Sequence, residues 1–195
     1  MKKILMVAAM MLMSIGAFAQ NEVGQITLKP TVGMNLATVT SADNAKMKVG
    51  LIAGFEGEYG ISENLGLSLG ALYSMEGAKQ GDAKFNFDYI NVPLLLQVYP
   101  AKGFAVKAGA QVGFNVRHKV SDGDNSMDIN DFYKALGVDT KVQSVNFSIP
   151  LGLSYQISDF VIDARYNLGI SKIFKNTDEG RGSVISITVG YKFPL

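Results

Sequence analysis

The sequence predicts an all-β protein: an eight-stranded antiparallel up-and-down barrel whose strands cross a membrane. Three observations support this prediction. From residue 20 onward, stretches of about 9–15 residues alternate apolar side chains with small or polar ones, which is the period of a β-strand. The connections between the stretches are alternately longer and very short, as in barrels of bacterial outer membranes. The apolar faces are almost free of charge, whereas the opposite faces are rich in Gly, Ser and Asn.

The clearest alternation covers residues 104–117. Every even-numbered residue from Phe104 to Val116 is apolar, and the odd-numbered ones include Lys107 and Arg117. Because successive side chains of a strand point to opposite sides, this stretch has one apolar and one polar face. Eight such strands are predicted, covering residues 25–39, 48–61, 65–75, 84–99, 104–117, 142–156, 160–171 and 183–193.

The fourth predicted strand departs from this pattern. Its first apolar residues, Phe85, Phe87 and Tyr89, are odd-numbered, whereas those from Ile90 onward are even-numbered. A bulge near residues 89–91 inserts one extra residue and would change the phase in this way.

Proline occurs inside three of the predicted strands. Because proline has no N–H group, it cannot donate a hydrogen bond to a neighbouring strand, and a closed barrel has no free edge to place it on. We therefore expect a bulge or the end of a strand at each of these residues. They are Pro30, Pro93 and Pro150.

The start of the chain predicts a secretory signal peptide. Lys2 and Lys3 precede an apolar run, and Ala17–Ala19 has the small-x-small pattern of a cleavage site. The run is short for a membrane-spanning helix, which needs about 20 residues. We therefore predict that residues 1–19 are cleaved and that residues 20–195 form one barrel domain.

The composition argues against several kinds of cross-link, anchor and partner. The chain has no cysteine, so neither disulfides nor a lipid anchor on cysteine is expected. Cleavage would remove two of the 18 basic residues and leave 16 against 17 acidic ones. This near-neutral balance argues against a nucleic-acid partner.

Alternation alone does not say which face points outward. A secreted soluble barrel of the lipocalin type would have its apolar face inside. The glycine-rich polar face favours the opposite arrangement, because the interior of an eight-stranded barrel is only just wide enough for side chains. A charge facing lipid costs about 2–4 kcal/mol, which explains the uncharged apolar face. We therefore predict a barrel in the bacterial outer membrane, with the lipid bilayer around it and the longer loops outside.

The inward face would carry charges of both signs. In a narrow lumen these charges most simply form a salt-bridged plug that excludes most water, and the alternative is a narrow polar pathway. The predicted network consists of Lys29, Lys48, Glu56, Glu58, Lys107, Asp163, Arg165 and Lys192.

Candidate catalytic and metal-binding residues are few. The only histidine, His118, lies near Ser121 and Asp122, which would suffice for a lipid-modifying enzyme at the barrel rim only if the three met in space. The acidic run 122–131 lacks the twelve-residue spacing and final Glu of an EF-hand calcium loop. We predict no enzymatic activity, no metal and no cofactor.

Four segments resemble the PorT-like family of small outer-membrane β-barrels. These are Tyr89–Leu96, with its Pro-Leu-Leu, Asp163–Ile170, Val32–Leu36 and the closing Val189–Phe193. The resemblance covers nearly all of residues 20–195 and implies an outer-membrane location and insertion by the barrel assembly machinery. One branch of the family serves protein secretion.

Three functions follow as hypotheses. The first is a structural or interaction protein whose outer loops, above all residues 118–141, contact a protein partner. The second, implied by the family resemblance, is an accessory component of protein export or envelope assembly. The third, least favoured by the residues, is a rim enzyme acting on lipid.

Overall fold

The computed structural model is a closed antiparallel β-barrel with a short helix at one end. The structure describes residues 22–40, 46–80, 83–122, 125–135, 137, 142–173 and 180–195, so the predicted signal peptide lies outside the described residues. The elements are β1 (Ile26–Thr40), β2 (Lys46–Ser62), β3 (Leu65–Gln80), β4 (Ala83–Ala101), β5 (Phe104–Asp122), β6 (Asn125–Asp128), α1 (Ile129–Ala135), β7 (Val145–Ile157), β8 (Phe160–Lys172), β9 (Arg181–Tyr191) and β10 (Phe193–Pro194).

Eight of these strands form the wall of the barrel. Each wall strand pairs antiparallel with the next one along the chain, and β1 pairs with β9 to close the cylinder. The short β6 pairs only with the outer part of β5, and β10 continues the line of β9 against β1. The predicted eight-stranded up-and-down barrel is therefore confirmed. Within the described residues, no helix has the length and apolar character needed to cross a bilayer.

Two-residue turns connect the strands at one end of the barrel, which we call the turn end. They are Glu63-Asn64, Lys102-Gly103 and Ser158-Asp159. Gly103 has a φ of +78°, and a Cβ there would lie 2.7 Å from the carbonyl oxygen of Gln156, so this turn requires glycine. The other end of the barrel, which we call the loop end, carries the remaining connections.

The loop end rises higher on one side than the sequence predicted. Residues 76–83 were expected to form a loop, but β3 continues to Gln80 and β4 begins at Ala83. At 19 residues each, β4 and β5 exceed the 9–11 residues that a strand needs to cross a bilayer. Above the membrane the outer face of a strand no longer meets lipid, so the apolar alternation that marks a membrane strand in the sequence is lost there.

The apolar face of the barrel points outward. Exposed large apolar residues cover the wall, while the interior is lined mostly by buried polar and small residues. This is the arrangement predicted for a membrane barrel and the reverse of a lipocalin. Exposed examples are Val32, Leu51, Phe55, Leu69, Leu94, Phe147, Leu151 and Ile187.

The predicted change of phase in the fourth strand is wrong. Phe87, Tyr89 and Asn91 are all buried in the interior, whereas Ile90 between them is exposed. The odd-numbered face of β4 therefore points inward throughout. Phe85, Phe87 and Tyr89 face inward although they are apolar, because they pack into a cluster inside the barrel. Alternation in the sequence could not distinguish this packing from packing against lipid.

The bulge lies instead in the neighbouring strand. Asp88 pairs with Arg117, but the next residue, Tyr89, pairs with Asn115, so Val116 is an extra residue in β5. Beyond the bulge the faces of β5 are exchanged. Arg117, which alternation placed on the polar inward face, lies on the outer surface with 53% of its side chain exposed.

The strand prolines do not produce the expected bulges. Each proline lies between two neighbouring strands. Along one of them the pairing is interrupted near the proline, but the register is the same on both sides of the gap. For Pro30 this gap divides the last strand into β9 and β10 at Lys192. On the other side, each proline keeps its place in the ladder. The pairs are Pro30 with Phe55, Pro93 with Gln111 and Pro150 with Asn167.

Candidate functional site

Five charged side chains from four strands meet in the interior, and we call them the central ion cluster. Strand alternation points them inward, and antiparallel register places Lys29 directly opposite Glu56. None has more than 7% of its surface exposed, so each charge depends on the others rather than on water. The cluster consists of Lys29, Glu56, Lys107, Asp163 and Arg165.

Each carboxylate of the central ion cluster contacts more than one cation. Glu56 accepts from Lys29 Nζ at 2.7 Å and from Arg165 Nη2 at 2.8 Å, one on each oxygen. Asp163 Oδ2 lies 2.5 Å from Lys107 Nζ and 3.4 Å from Arg165 Nη2. Three cations therefore enclose two carboxylates, and the strands β1, β2, β5 and β8 are cross-linked through the interior.

A second ion pair lies closer to the turn end. Lys192 Nζ contacts Glu58 Oε2 at 2.9 Å, and the Tyr99 hydroxyl donates to Glu58 Oε1 at 2.5 Å. Gly66 leaves room for this carboxylate, because a Cβ there would lie 2.6 Å from Glu58 Oε1. The sequence reasoning missed Tyr99, although its odd number places it on the inward face of β4 with Asn91.

Lys48, the remaining residue of the predicted network, contacts the backbone of β3 near the loop end. Its Nζ donates to the carbonyl oxygen of Glu76 at 2.9 Å. The Glu76 carboxylate accepts from Ser74 Oγ at 2.7 Å and from Asn91 Nδ2 at 3.0 Å. Glu76 was assigned to a loop, but it continues the even-numbered inward face of β3, and that continuation was the signal available in the sequence.

A layer of amides and hydroxyls lies beside Glu76. Asn35 donates to Ser74 Oγ at 2.7 Å and accepts from Ser186 Oγ at 2.8 Å. The side-chain oxygens of Asn146 and Asn167 have no hydrogen-bond partner among the described residues, and both residues line a cavity of about 40 Å³. Such a cavity has room for ordered water, which would satisfy these oxygens.

Apolar side chains close the loop end, and we call them the apolar cap. Ile129, the first residue of α1, is completely buried among them. The helix is held in place at its start, where Asn130 N–H donates to Asp128 Oδ1 at 2.8 Å. The apolar cap contains Phe85, Phe87, Tyr89, Val120, Ile129, Val142 and Ile173.

The histidine at the loop end takes part in a hydrogen-bonded structure with residues of β5, β6 and α1. His118 Nδ1 lies 2.7 Å from Asn115 Oδ1, and its Nε2 lies 2.8 Å from Asn130 Nδ2 and 3.4 Å from Asp128 Oδ2. Ser121 is three residues further along β5, so it belongs to the opposite face of the strand. Both ring nitrogens of His118 therefore face partners other than Ser121, and the side chain of Asp122 lies outside the described part.

The acidic run has a structural use in the part of it that is described. Asp128 caps α1, and Asp131 is exposed in the first turn of the same helix. Among the described residues, no three His, Cys, Asp or Glu side chains are grouped as they would be around a metal ion.

Comparison with known proteins assigns the fold to a family. Residues 5–193 match the family model described as outer membrane protein beta-barrel domain. The chain belongs to this family. The barrel therefore lies in the bacterial outer membrane, with the lipid bilayer around its apolar wall.

Solved structures of outer membrane barrels share the fold. Neisserial surface protein A has a TM-score of 0.56 at 16% identity, covering 86% of this chain and 97% of that one. Ail, the attachment invasion locus protein of Yersinia pestis, has a TM-score of 0.51 at 18% identity, covering 88% of this chain and all of that one. At such identities the likeness concerns the fold alone. No curated protein is significantly similar in sequence.

Membership in the family orients the barrel. Outer membrane barrels have short periplasmic turns and longer outer connections, so the turn end is periplasmic and the loop end faces outward. The Glu58–Lys192 pair then lies towards the periplasm. The apolar cap closes the outer end, and the central ion cluster lies between them.

Proposed function

We propose that this protein is a structural or interaction protein with a filled lumen, and that residues 118–141 at its outer end contact a protein partner. The observation that carries the proposal is the double closure of the interior. The central ion cluster cross-links four strands, and the apolar cap covers the outer end. A barrel filled in this way leaves its outer surface as the region available for function.

The size of the internal cavities supports a filled lumen over a narrow polar pathway. Three cavities lined by inward-facing residues measure about 40, 30 and 10 Å³. Each holds from one to a few water molecules, because one water needs roughly 10–15 Å³. Conducting a hydrated ion would require the ion pairs of the central ion cluster to separate.

Two measurements test this proposal. In planar bilayers the protein should show no conductance above that of the empty membrane, and steady channel openings would contradict a filled lumen. On intact cells, a photo-crosslinking residue at Lys134, which is exposed on α1, should form a discrete protein adduct. The same residue at Lys102, exposed in a periplasmic turn, is the matched control. Absence of an adduct specific to position 134 would contradict a partner at this surface.

We also propose that the protein is not an enzyme. The contacts of His118 with Asn115, Asn130 and Asp128 support this, because they engage both ring nitrogens that a nucleophile would need. His118→Ala should leave the lipid composition of the outer membrane unchanged. A change in acylation that tracks this substitution would favour the rim enzyme.

A second candidate is an accessory role in protein export or envelope assembly, as for one branch of the PorT-like family. The segments Tyr89–Leu96 and Asp163–Ile170 favour it, since they resemble that family. A deletion strain should then secrete less protein, and normal secretion would exclude this role.

We further propose that the barrel assembly machinery inserts the chain by recognising its last strand. Phe193 supports this, because it pairs with Leu28 in the closing ladder and its side chain is exposed. Phe193→Ala should lower the amount of protein inserted, measured by heat-modifiable gel mobility of outer-membrane fractions. Unchanged insertion would contradict the proposal.

A further inference from the structure

The bulge in β5 determines the direction in which His118 points. Below the bulge, even-numbered residues of β5 such as Phe114 face the lipid, whereas beyond Val116 the two faces of the strand are exchanged. His118 therefore points into the mouth of the barrel, and it pairs across the ladder with the buried Phe87. This direction places the imidazole between β5 and the segment that contains β6 and α1.

The hydrogen bonds around His118 form a chain that is anchored on the backbone at both ends. At one end, Asn115 Nδ2 donates to the carbonyl oxygen of Arg117 at 3.3 Å, and Asn115 Oδ1 lies 2.7 Å from His118 Nδ1. At the other end, the N–H of Val142 donates to Asn130 Oδ1 at 3.0 Å, and Asn130 Nδ2 lies 2.8 Å from His118 Nε2. We call Asn115, His118 and Asn130 the histidine relay.

The two backbone groups determine which ring nitrogen carries the proton. A carbonyl oxygen only accepts and a backbone N–H only donates, so neither amide of the histidine relay can be turned over without losing its bond to the backbone. Nδ1 must therefore donate to Asn115 Oδ1, and Nε2 must accept from Asn130 Nδ2. A neutral imidazole with its proton on Nδ1 satisfies both contacts. A second proton on Nε2 would face the hydrogens of the Asn130 amide, because both atoms would then be donors.

Asp128 is the charged group to which a protonated ring can turn. Its Oδ2 lies 3.4 Å from His118 Nε2, while its Oδ1 accepts from the N–H of Asn130 at the start of α1. Residues 142–144 carry no charge. Side chains of aspartate, lysine and arginine keep their charge between about pH 5.5 and 7.5, whereas histidine gains one as the pH falls. The other charged residues with described side chains on the surrounding strands and on α1 are Asp88, Arg117, Lys119, Asp131 and Lys134.

We propose that His118 is a pH-sensitive lock, which holds α1 against the barrel while its imidazole is neutral and releases the helix when the imidazole is protonated. Protonation would break the contact of His118 with Asn130 and draw Asp128 towards the ring, away from the first turn of α1. Because Asn130 also holds Val142 of the apolar cap, the cap would loosen together with the helix. The outer connections face the external medium, so the pH outside the cell would control the lock. The lock is a property of the loop end itself and does not depend on a partner there.

The sign of the pH effect follows from the number of protons bound in each state. The released state binds one proton more than the locked state, so lowering the pH favours release. A histidine exposed to water takes up its proton at about pH 6.5, whereas the histidine relay has no acceptor in place for that proton. The ratio of locked to released molecules should therefore fall about tenfold from about pH 7.5 to about pH 5.5.

Amide hydrogen exchange of the whole protein in phosphatidylcholine nanodiscs measures this ratio. The reporter is the N–H of Val142, whose protection factor, corrected for the intrinsic exchange rate at each pH, should fall about tenfold. The N–H of Lys192 donates to the carbonyl oxygen of Asp159 in a periplasmic turn, so it is the matched control and should keep its protection. His118→Gln has no titrating ring, and the protection of its Val142 N–H should be independent of pH in this range.

Equal protection of Val142 at both pH values in the wild type would overturn the proposal. An equal fall in the wild type and in His118→Gln would also overturn it, because another group would then be responsible. If His118→Gln does not fold, or leaves Val142 unprotected at both pH values, nitrogen NMR of the wild-type ring decides. The chain has one histidine, so the untagged protein gives one pair of ring signals. These signals should show the proton on Nδ1 in the neutral ring, and a proton on Nε2 would refute the histidine relay.

Discussion

Arg165 of β8 donates to Glu56 of β2 at 2.8 Å, across the two strands that close the barrel. The two residues are 109 positions apart in the chain. Between them in the wall lie β9 and β1, whose pairing can form only after the last strand is in place. We call the β1–β9 pairing the seam of the barrel. This ion pair therefore links β2 and β8, the strands on either side of the seam, through the interior. It makes the central ion cluster part of barrel closure as well as a filling of the lumen.

Replacing Glu56 tests the contribution of this ion pair. In Glu56→Gln, Asp163 is the one carboxylate left in the central ion cluster, and the three buried cations must share it. We expect the free energy of unfolding to fall by about 3 kcal/mol, because a buried cation that loses its partner is strongly destabilising. Urea unfolding in lipid vesicles measures this change. Glu63→Gln, exposed in a periplasmic turn, is the control and should be within about 0.5 kcal/mol of wild type.

The pair Lys107–Asp163 should show energetic coupling. Lys107→Met removes the shortest contact of Asp163, and Asp163→Asn removes the carboxylate that Lys107 contacts. We expect the loss of stability in the double variant to be smaller than the sum of the two single losses by at least about 1 kcal/mol. Urea unfolding in lipid vesicles gives the free energy of unfolding of the wild type, the two single variants and the double variant. A second cycle, Lys107→Met with Glu63→Gln, should be additive. Additivity in both cycles would mean that the Lys107–Asp163 contact contributes nothing of its own.

Close approach of two backbones at the seam requires glycine at position 33. A Cβ at Gly33 would overlap the carbonyl oxygen of Ile187 and lie 2.6 Å from Thr188 Cα. We expect Gly33→Ala to lower stability by about 1–3 kcal/mol through overpacking. Gly57→Ala is the matched control within a strand, since its nearest atom would be 3.9 Å away. The fraction that shows heat-modifiable mobility after refolding reports both variants, and equal fractions would contradict the prediction.

Removing the buried residue of α1 should loosen the apolar cap without opening the wall. Ile129→Ala leaves a cavity among Phe87, Val142 and Ile173, and substitutions of this kind cost about 2–5 kcal/mol in a closed core. We expect limited proteolysis within residues 123–141 to accelerate while the barrel keeps its resistance to unfolding in detergent. Lys134→Ala, exposed on the same helix, should leave the cleavage rate unchanged. A loss of wall stability in Ile129→Ala would show that the cap and the barrel unfold as one unit.

The alternation of residues in the sequence was sufficient to predict the strands within the membrane but not their outer ends. Within the membrane one face of each strand meets lipid, so apolar residues recur with period two, and strand existence, order and inward face can be read from residues such as those of 104–116. Above the membrane this constraint ends. The continuation of β3 past Glu76 and the strand ends of β4 and β5 were consequently missed.

The bulge was assigned to the wrong strand for a related reason. Phe87 and Tyr89 have the same composition whether they face lipid or an apolar cap inside the barrel. The contacts that make them inward-facing come from Ile129 and Val142, which are forty or more residues away in the chain. No local pattern could distinguish the two environments.

By itself, the sequence determined that the apolar face surrounds the barrel and that the strands follow one another in order, because lipid imposes one rule on every strand. It also indicated inward-facing charges from Lys29 on β1 to Arg165 on β8, although it placed Arg117 inward wrongly and missed Glu76. Only the tertiary structure decided which of these charges meet, since the stagger between strands sets the level of each side chain in the lumen. That stagger places Arg165 beside Glu56. It arises from closing the whole sheet, so no single strand determines it.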